Sequence, residues 1–131
     1  MLKIESKIGT VRRRTEELFV LLSNFENIVS LVPPDQIQDL VVEKERCEFT
    51  VQGQKMEILI LDKELNNFIK FGSGEQSPVK FFFWIQMKEA ADFTSKIKLT
   101  LHLDIPLIAQ PFIKGKIEKA LDEMMDKISA I

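Results

Sequence analysis

The sequence has few of the residues on which enzyme chemistry usually depends. Its 131 residues include one histidine, one cysteine and no tyrosine. His102 and Cys47 lie far apart in the chain, so they offer neither a metal-ligand cluster nor a nucleophile–base pair of recognisable spacing. We therefore expect no metal site, no cofactor and no catalytic residue.

Disulfides, targeting signals and membrane spans are also lacking. Cys47 has no second cysteine to pair with, which fits a reducing compartment. Charged residues occupy the first positions, Met1 to Lys7, where a signal peptide needs an apolar stretch. No run approaches the ~18 apolar residues of a membrane span. We expect a cytoplasmic protein without stable membrane insertion.

The chain carries no excess of one charge. Its 18 basic and 20 acidic side chains nearly cancel, so no large single-sign field points to a nucleic acid or to an anionic membrane. Hydrophobic residues make up 45% of the chain, which is enough for a core. The length fits a single domain over residues 1–131, without internal repeats or linkers.

The first third of the chain predicts one strand and two short helices. Apolar and charged residues alternate from Leu2 to Ile8, as in a half-buried strand. Thr15 is a candidate N-cap, because carboxylates follow it in the first turn and Leu18 to Leu22 supply an apolar face. A second helix, near Phe25 to Leu31, should stop before Pro33-Pro34.

The rest of the chain predicts an antiparallel meander followed by one long helix. The period is two over six candidate strands: Gln38 to Lys44, Arg46 to Gln52, Lys55 to Lys63, Phe68 to Gly72, Val79 to Lys88 and Phe93 to Asp104. Short connections rich in turn residues separate them. Apolar residues then recur at steps of three and four, which predicts a helix from Leu107 to Ile131. The fold class is α+β.

This order, with four local sequences, resembles the START-like or helix-grip superfamily, in particular the small bacterial polyketide cyclase/dehydrase and lipid transport proteins (SRPBCC-like). The local resemblances are residues 15–27, Leu31-Val-Pro-Pro, the strand Phe81-Phe-Phe-Trp-Ile-Gln-Met and the terminal helix. The resemblance spans essentially the whole chain. It is architectural rather than catalytic, because the superfamily has no invariant active-site motif.

The resemblance implies a helix-grip fold: a curved seven-stranded antiparallel sheet wrapped around the C-terminal helix, with two short helices between strands 1 and 2. It also implies an apolar cavity for a lipid, sterol-like or polyketide-like ligand. Strand alternation independently collects one face: Cys47, Phe49, Val51, Met56, Ile58, Ile60, Ile69, Phe71, Phe81, Phe83, Ile85, Met87, Ile97, Leu99, Leu101 and Leu103. Opposite it we expect Phe112, Ile113, Ile117, Leu121, Met124 and Ile128.

The residues that we expect to line this cavity are apolar apart from one serine. They are Ser6, Phe49, Ile58, Ile60, Phe71, Phe81, Phe83, Ile85, Met87, Leu99, Leu101, Ile113, Ile117, Leu121 and Met124. The same side chains could instead fill a closely packed core. Ser6 could hydrogen-bond a ligand, but we favour its satisfaction by backbone groups.

Three functions are compatible with this pattern. We favour non-catalytic binding or transport of a hydrophobic small molecule. A polyketide cyclase or aromatase would need interior acid and base groups, and the inner face supplies none. A co-chaperone-like interaction module would need no hollow interior. The openness of the cavity separates the carrier from the module, and a pair of buried titratable residues would indicate the enzyme.

The remaining polar candidates have simpler explanations. His102 alternates with two leucines, so it should lie on the outer face as a solvated strand residue. Cys47 should behave as a small buried hydrophobe. The basic run Arg12-Arg13-Arg14 could hold a phosphate or lipid headgroup, but an exposed loop is the commoner meaning of such a run.

Strand alternation also predicts an apolar patch on the outer face of the sheet. If Phe83 and Ile85 point inwards, Phe82 and Trp84 of the same strand point outwards. The same parity sends Leu59, Leu61 and Phe68 of the neighbouring strands outwards. A contiguous patch of this kind usually marks an interface, so we expect a homodimer or partner contact with Trp84 as anchor. The alternative is a β-bulge that turns Trp84 back inside, or cover of the patch by a loop.

Overall fold

The computed structural model describes residues 1–31 and 38–131. The strands are β1 Leu2–Glu5, β2 Gly9–Val11, β3 Gln38–Val42, β4 Arg46–Val51, β5 Gln54–Glu64, β6 Phe68–Ser73, β7 Phe81–Glu89 and β8 Ser95–Leu103. The helices are α1 Thr15–Leu22, α2 Phe25–Ile28 and α3 Gln110–Ser129, with one 3-10 turn at Val29–Leu31.

The strands form one curved antiparallel sheet with the order β1-β8-β7-β6-β5-β4-β3. Strands β3 to β8 pair successively as a meander, and the N-terminal strand pairs with β8. Because each connection in the meander is short, neighbours in sequence become neighbours in the sheet. The predicted α+β helix-grip architecture is confirmed.

The predicted first strand is divided into two segments that both pair with β8. Ser6 replaces a ladder interaction at the break: the Leu99 N–H donates to Ser6 Oγ over 2.9 Å, while the Ser6 hydroxyl donates to the carbonyl of Lys7. The chain pairs again at Gly9 opposite Ile97. Within residues 1–31 and 38–131 the sheet therefore has eight strand segments, two of which occupy the place of one strand.

The prediction that Thr15 is the N-cap of α1 is wrong. Thr15 is the first helical residue, and Arg14 occupies the N-cap position without a side-chain hydrogen bond. Instead, Glu89 at the end of β7 accepts from both the N–H and the hydroxyl of Thr15, at 3.1 and 2.7 Å. These bonds lower the pKa of Glu89 and tie α1 to the sheet.

The second helical segment is close to its predicted extent. Asn24 caps α2 by accepting from the Glu26 N–H, and the helix continues as the 3-10 turn. The Phe25 N–H donates to the carbonyl of Lys44 at the β3–β4 connection, which holds α2 against the sheet. The predicted stop at Pro33-Pro34 lies outside the described residues.

Helix α3 begins at Gln110, three residues later than predicted, because turns occupy the chain before it. The Ala109 N–H donates to the carbonyl of Pro106, and Pro111 lies in the first helical turn. Leu121, Met125 and Ile128 are the buried residues of the helix. At the carboxyl-terminal half, Met125 packs so closely on Gly9 of β2 that a Cβ atom there would overlap its sulfur.

The prediction that Phe112 faces the sheet is wrong. Its side chain is 76% exposed. It precedes Ile117 by five residues, which at about 100° per residue turns it roughly 140° away from the inward face.

The β7–β8 hairpin closes through two non-glycine residues with positive φ. Asp92 and Phe93 have φ values of 58° and 59°, and the Thr94 N–H donates to the carbonyl of Ala91 over 3.2 Å. This is the pattern of a type I′ turn. The guanidinium of Arg14 lies 4.4 Å from the Phe93 ring centroid.

No helix within the described ranges is long and apolar enough to cross a membrane.

Two glycines provide opposite tests of this packing. Gly9→Ala should destabilise the protein by about 1–3 kcal/mol, because the new methyl group would overlap the fully buried Met125 side chain and the hydroxyl of Ser129. Gly115→Ala should stabilise it by about 0.5–1 kcal/mol, because Gly115 lies within α3 with nothing near its missing Cβ. Urea unfolding of the wild type and both variants measures the two effects. Equal stabilities of wild type and Gly9→Ala would show that α3 does not touch β2 in this way.

Candidate functional site

A cavity of about 470 Å³ lies between the inner face of the sheet and α3. The side chains around it are apolar except for one thiol. They are Leu22, Phe25, Ile28, Val29, Leu40, Cys47, Phe49, Val51, Ile58, Phe71, Phe81, Phe83, Ile85, Leu101, Ile117, Ala120, Leu121, Met124 and Ile128.

Three parts of the fold contribute these walls. Strands β3 to β8 supply one wall, because alternate residues of a strand point to the same side. The face of α3 from Ile117 to Ile128 supplies the opposite wall. Leu22 at the end of α1, with α2 and the 3-10 turn, closes one side. The cavity is thus the space that the curved sheet leaves beneath its helices.

The aromatic part of the wall is a connected series of rings. The centroids of Phe25 and Phe71 are 5.6 Å apart in an edge-to-face arrangement, and Phe71 and Phe83 are 5.8 Å apart. Edge-to-face and tilted pairs are favourable arrangements of aromatic rings. These contacts connect α2 to the centre of the sheet and fix the shape of this wall.

Most residues that sequence analysis placed at the cavity do lie there. They are Phe49, Ile58, Phe71, Phe81, Phe83, Ile85, Leu101, Ile117, Leu121 and Met124. Strand parity and helical spacing therefore locate the inner face correctly. Whether these residues contact a ligand stays a prediction.

The other expected residues lie on the same side of the sheet but away from the cavity. Met87 and Leu99 are buried in the close-packed part of the core, and Ile60 and Ile113 pack against that core. Ser6 bonds backbone groups at the strand break, as we favoured. Within this group Ser6, Met87 and Leu99 are buried, whereas Ile60 and Ile113 are partly buried.

Sequence reasoning missed the residues that close the sides of the cavity, namely Leu22, Phe25, Ile28, Val29, Leu40 and Ala120. The spacing of Leu18, Leu22 and Phe25 does indicate one buried helical stripe. It does not indicate which part of the sheet that stripe meets, because this depends on the route of the chain between elements.

The edge of the cavity includes solvent-exposed residues. Leu40 of β3 is 45% exposed and Met124 of α3 is 38% exposed. Ala120, one turn before Met124, is exposed as well. We define the mouth as the edge formed by Leu40, Ala120 and Met124. The cavity therefore reaches solvent beside the middle of α3.

Cys47 supplies the one titratable side chain in the described lining. Burial raises the pKa of its thiol, and the charge of nearby Arg46 offsets this only in part. A thiol in such surroundings is mostly protonated at neutral pH and is a poor nucleophile. The lining therefore offers apolar contact rather than acid–base chemistry.

His102 lies on the outer face, as predicted, with its ring centroid 4.6 Å from that of Trp84. Burial and the positive charges of Lys3, the amino terminus and Lys70 lower its pKa. Within the described ranges, no three His, Cys, Asp or Glu residues are grouped so that they could hold a metal ion.

None of the three arginines of the basic run lies at the cavity. Arg12 and Arg14 are exposed, while Arg13 forms an ion pair with Glu17 at 3.4 Å. The headgroup alternative for this run therefore has no contact with the cavity to support it.

The outer face carries the apolar side chains expected there, but cations cover part of them. Trp84 points outwards and contacts Phe82 and His102. The amino group of Lys70 lies 4.8 Å from the Phe82 ring centroid and 5.3 Å from that of Trp84. Leu59, Phe68, Phe82 and Trp84 are half-buried, whereas Leu61 is 47% exposed.

The β-bulge in this region lies in β5 and not at Trp84. The pairing of β5 with β6 shifts between Ile60 and Asp62. Leu61 at this bulge lies over Gly72 on the outer face. Trp84 stays in regular register between Lys70 and Thr100, so the patch keeps its predicted orientation.

No family model matches the sequence, and no curated protein is significantly similar to it.

Solved structures do share its fold. Protein XoxI from Bacillus cereus superimposes with a TM-score of 0.76 at 11% identity, covering 99% of this chain and 94% of that one. A START superfamily protein from Mycobacterium smegmatis gives 0.74 at 13% identity, covering 98% and 94%. Norcoclaurine synthase from Thalictrum flavum gives 0.73 at 14% identity, covering 98% and 84%. The chain therefore has the START-like, helix-grip fold.

Cys47 gives a direct chemical test of the cavity. A small uncharged maleimide should alkylate it several-fold more slowly than it alkylates glutathione at neutral pH, because burial raises the pKa of the thiol. The rate should still be rising above the pH at which glutathione levels off. Mass spectrometry of the intact protein against time measures this rate, and alkylation as fast as that of glutathione would contradict the buried site.

The outer face leads to a separate prediction of homodimerisation. If two copies pair through the patch of Leu59, Leu61, Phe68, Phe82 and Trp84, Trp84→Glu should raise the dimer dissociation constant by on the order of tenfold or more. Sedimentation velocity over a concentration series measures this constant. Val20→Glu, at an exposed apolar position on α1, is the control. A wild type that remains monomeric at high micromolar concentration would exclude the homodimer.

Proposed function

We propose that the protein binds and carries a hydrophobic small molecule in the cavity between the sheet and α3, without transforming it chemically. The observation that carries this proposal is the cavity itself: about 470 Å³ of space with an almost entirely apolar wall. Small-molecule sites in proteins commonly have volumes of about 300–1,000 Å³ and mainly apolar linings.

The size of this space argues against a simple packing defect. Protein interiors are packed as densely as organic crystals, and voids larger than a water molecule are few. An unfilled apolar cavity also costs stability, because each lining atom loses contacts on one side. A ligand that restores these contacts would stabilise the folded protein.

The chemistry of the wall supports binding rather than catalysis. Cyclase chemistry requires a positioned acid or base within hydrogen-bond reach of the substrate. The described lining contains no carboxylate, amine or imidazole, and its thiol is held in the neutral form by burial. Norcoclaurine synthase shares the fold and has been solved with dopamine and hydroxybenzaldehyde. A shared fold does not carry that activity to this chain, since function depends on the site.

The same wall limits the class of ligand. An ionised group deep in the cavity would lose its hydration without gaining a partner. We therefore infer a neutral lipophilic body, such as a lipid chain, a sterol-like ring system or a polyketide-like chain. Any polar end should lie at the mouth, near Leu40, Ala120 and Met124, where water can reach it.

Ile117→Trp tests whether the cavity binds ligands. Ile117 borders the cavity from α3, so an indole at this position should occupy ligand space. The variant should bind a fluorescent fatty acid on the order of tenfold more weakly, a loss of about 1.4 kcal/mol. Its melting temperature should stay within about 4 °C of that of the wild type. Fluorescence titration and thermal unfolding measure the two quantities.

Glu118→Trp is the matched control, because it adds the same indole to the exposed side of α3. It should bind the probe as the wild type does. A wild type that binds no probe, and that shows no co-purified lipophilic molecule by native mass spectrometry, would overturn the carrier function. A solid core would instead appear as about 1–3 kcal/mol of destabilisation in Ile117→Trp through overpacking.

A further inference from the structure

The chain immediately before and at the start of α3 exposes three large apolar side chains. Leu107 is 83% exposed, Ile108 is 82% exposed and Phe112 is 76% exposed. Single exposed apolar residues are common on protein surfaces, but three within six positions form a local group. We call Leu107, Ile108 and Phe112 the apolar tip.

The apolar tip is held outward by a fixed backbone. The Ala109 N–H donates to the carbonyl of Pro106 over 2.9 Å, and the Phe112 N–H donates to the carbonyl of Ala109 over 3.2 Å. The side-chain amide of Gln110 donates to the carbonyl of Ile105. These turns present the apolar side chains to solvent in a defined arrangement, which favours a surface that contacts something outside the chain.

Three lysines follow the apolar tip along α3. They are Lys114, Lys116 and Lys119, and the first turn of α3 contains no acidic residue. The amino group of Lys114 lies 4.0 Å from a carboxylate oxygen of Glu118. Lys116 and Lys119 have no ion-pair partner among residues 1–31 and 38–131. The exposed amino groups of Lys116 and Lys119 are therefore available to an anionic partner.

Three of the four acidic residues of α3 lie in its other half, and two of them have a structural role. Asp126 pairs with the Lys7 amino group at 2.6 Å, and Asp122 accepts from the Lys7 N–H. These bonds hold the β1–β2 connection against the helix. The near-zero net charge of the chain thus conceals a helix that is basic at the apolar tip and acidic at its anchored end.

The face of α3 that carries Phe112, Lys116 and Lys119 also lies beside the cavity. Phe112, Lys116 and Lys119 are spaced at i, i+4 and i+7, so they share one face of α3. Ala120, which forms part of the mouth, is the next residue after Lys119 and lies one turn beyond Lys116. A surface that contacted this face would therefore lie close to the mouth of the cavity.

We propose that the apolar tip and the adjoining lysines Lys116 and Lys119 form a docking surface for an anionic lipid bilayer. Apolar side chains at the headgroup boundary, combined with lysines, are the features by which proteins bind such surfaces reversibly. The positive charge favours an anionic partner, and the grouped aliphatic and aromatic side chains favour one that offers hydrocarbon. The proposal goes beyond the carrier function and does not require an occupied cavity.

Vesicle co-sedimentation with the full chain tests this docking surface. The wild type should bind phosphatidylglycerol-containing phosphatidylcholine vesicles and bind pure phosphatidylcholine vesicles much more weakly. Lys116→Gln with Lys119→Gln should weaken binding on the order of 20-fold, at about fivefold for each lysine near a charged surface. Leu107→Ser with Ile108→Ser should weaken it by more than about tenfold.

The controls carry the same chemical changes elsewhere on the surface. Lys44→Gln with Lys88→Gln and Val20→Ser with Leu65→Ser change exposed residues and should bind as the wild type does. Ile117→Trp should also bind normally, which separates docking from cavity binding. Equal binding to both vesicle types, equal losses in test and control variants, or no binding by the wild type would each overturn the proposal. In the last case a protein partner would be the remaining explanation for the exposed side chains of the apolar tip.

Discussion

The contact between α3 and β2 at Gly9 fixes the position of the helix that forms one wall of the cavity. Met125 packs where a side chain on residue 9 would have to lie, and Lys7 bonds Asp122 and Asp126 beside it. This contact fixes the carboxyl-terminal half of α3 against the N-terminal strands and β8. The same half of α3 also supplies most of the helical wall of the cavity, through Ala120, Leu121, Met124 and Ile128. One stretch of helix thus both anchors the fold and borders the space in which we propose that a ligand binds.

The two faces of the sheet differ in chemistry: the inner face is apolar, and part of the outer face consists of paired charges. On the inner side, Phe71 and Phe83 form part of an apolar wall. On the outer side, polar groups satisfy one another: Arg46 bonds the carboxylates of Glu48 and Glu57, and Lys55 pairs with Glu48 at 2.6 Å. Ser77 from the β6–β7 connection bonds the backbone of Glu57. Inner-face substitutions should therefore affect the volume and shape of the cavity, whereas outer-face substitutions should affect charge pairing and surface contacts.

Sequence patterns were reliable where one periodicity determines the answer. Alternation placed Phe83 inside and Trp84 outside, and the three-and-four spacing placed Ile117 and Leu121 towards the sheet. Patterns failed where a distant residue supplies the partner. Glu89 from β7 takes over the helix capping assigned to Thr15, and Ser6 interrupts a strand that alternation presents as continuous. The cavity walls from α2 could not be derived, because their position depends on how the chain folds back over the sheet.

The β7–β8 turn is a place where the fold accepts local strain. A type I′ turn favours glycine at its second central position, yet Phe93 occupies it with a φ of 59°. The left-handed region costs a residue with a side chain about 1–2 kcal/mol, part of which the contact with Arg14 offsets. A substitution that removes this strain would therefore stabilise the protein at a point that does not border the cavity. In evolutionary terms, relief of this strain would let the cavity wall accept costly substitutions, so that the shape of the cavity could change while the fold persists.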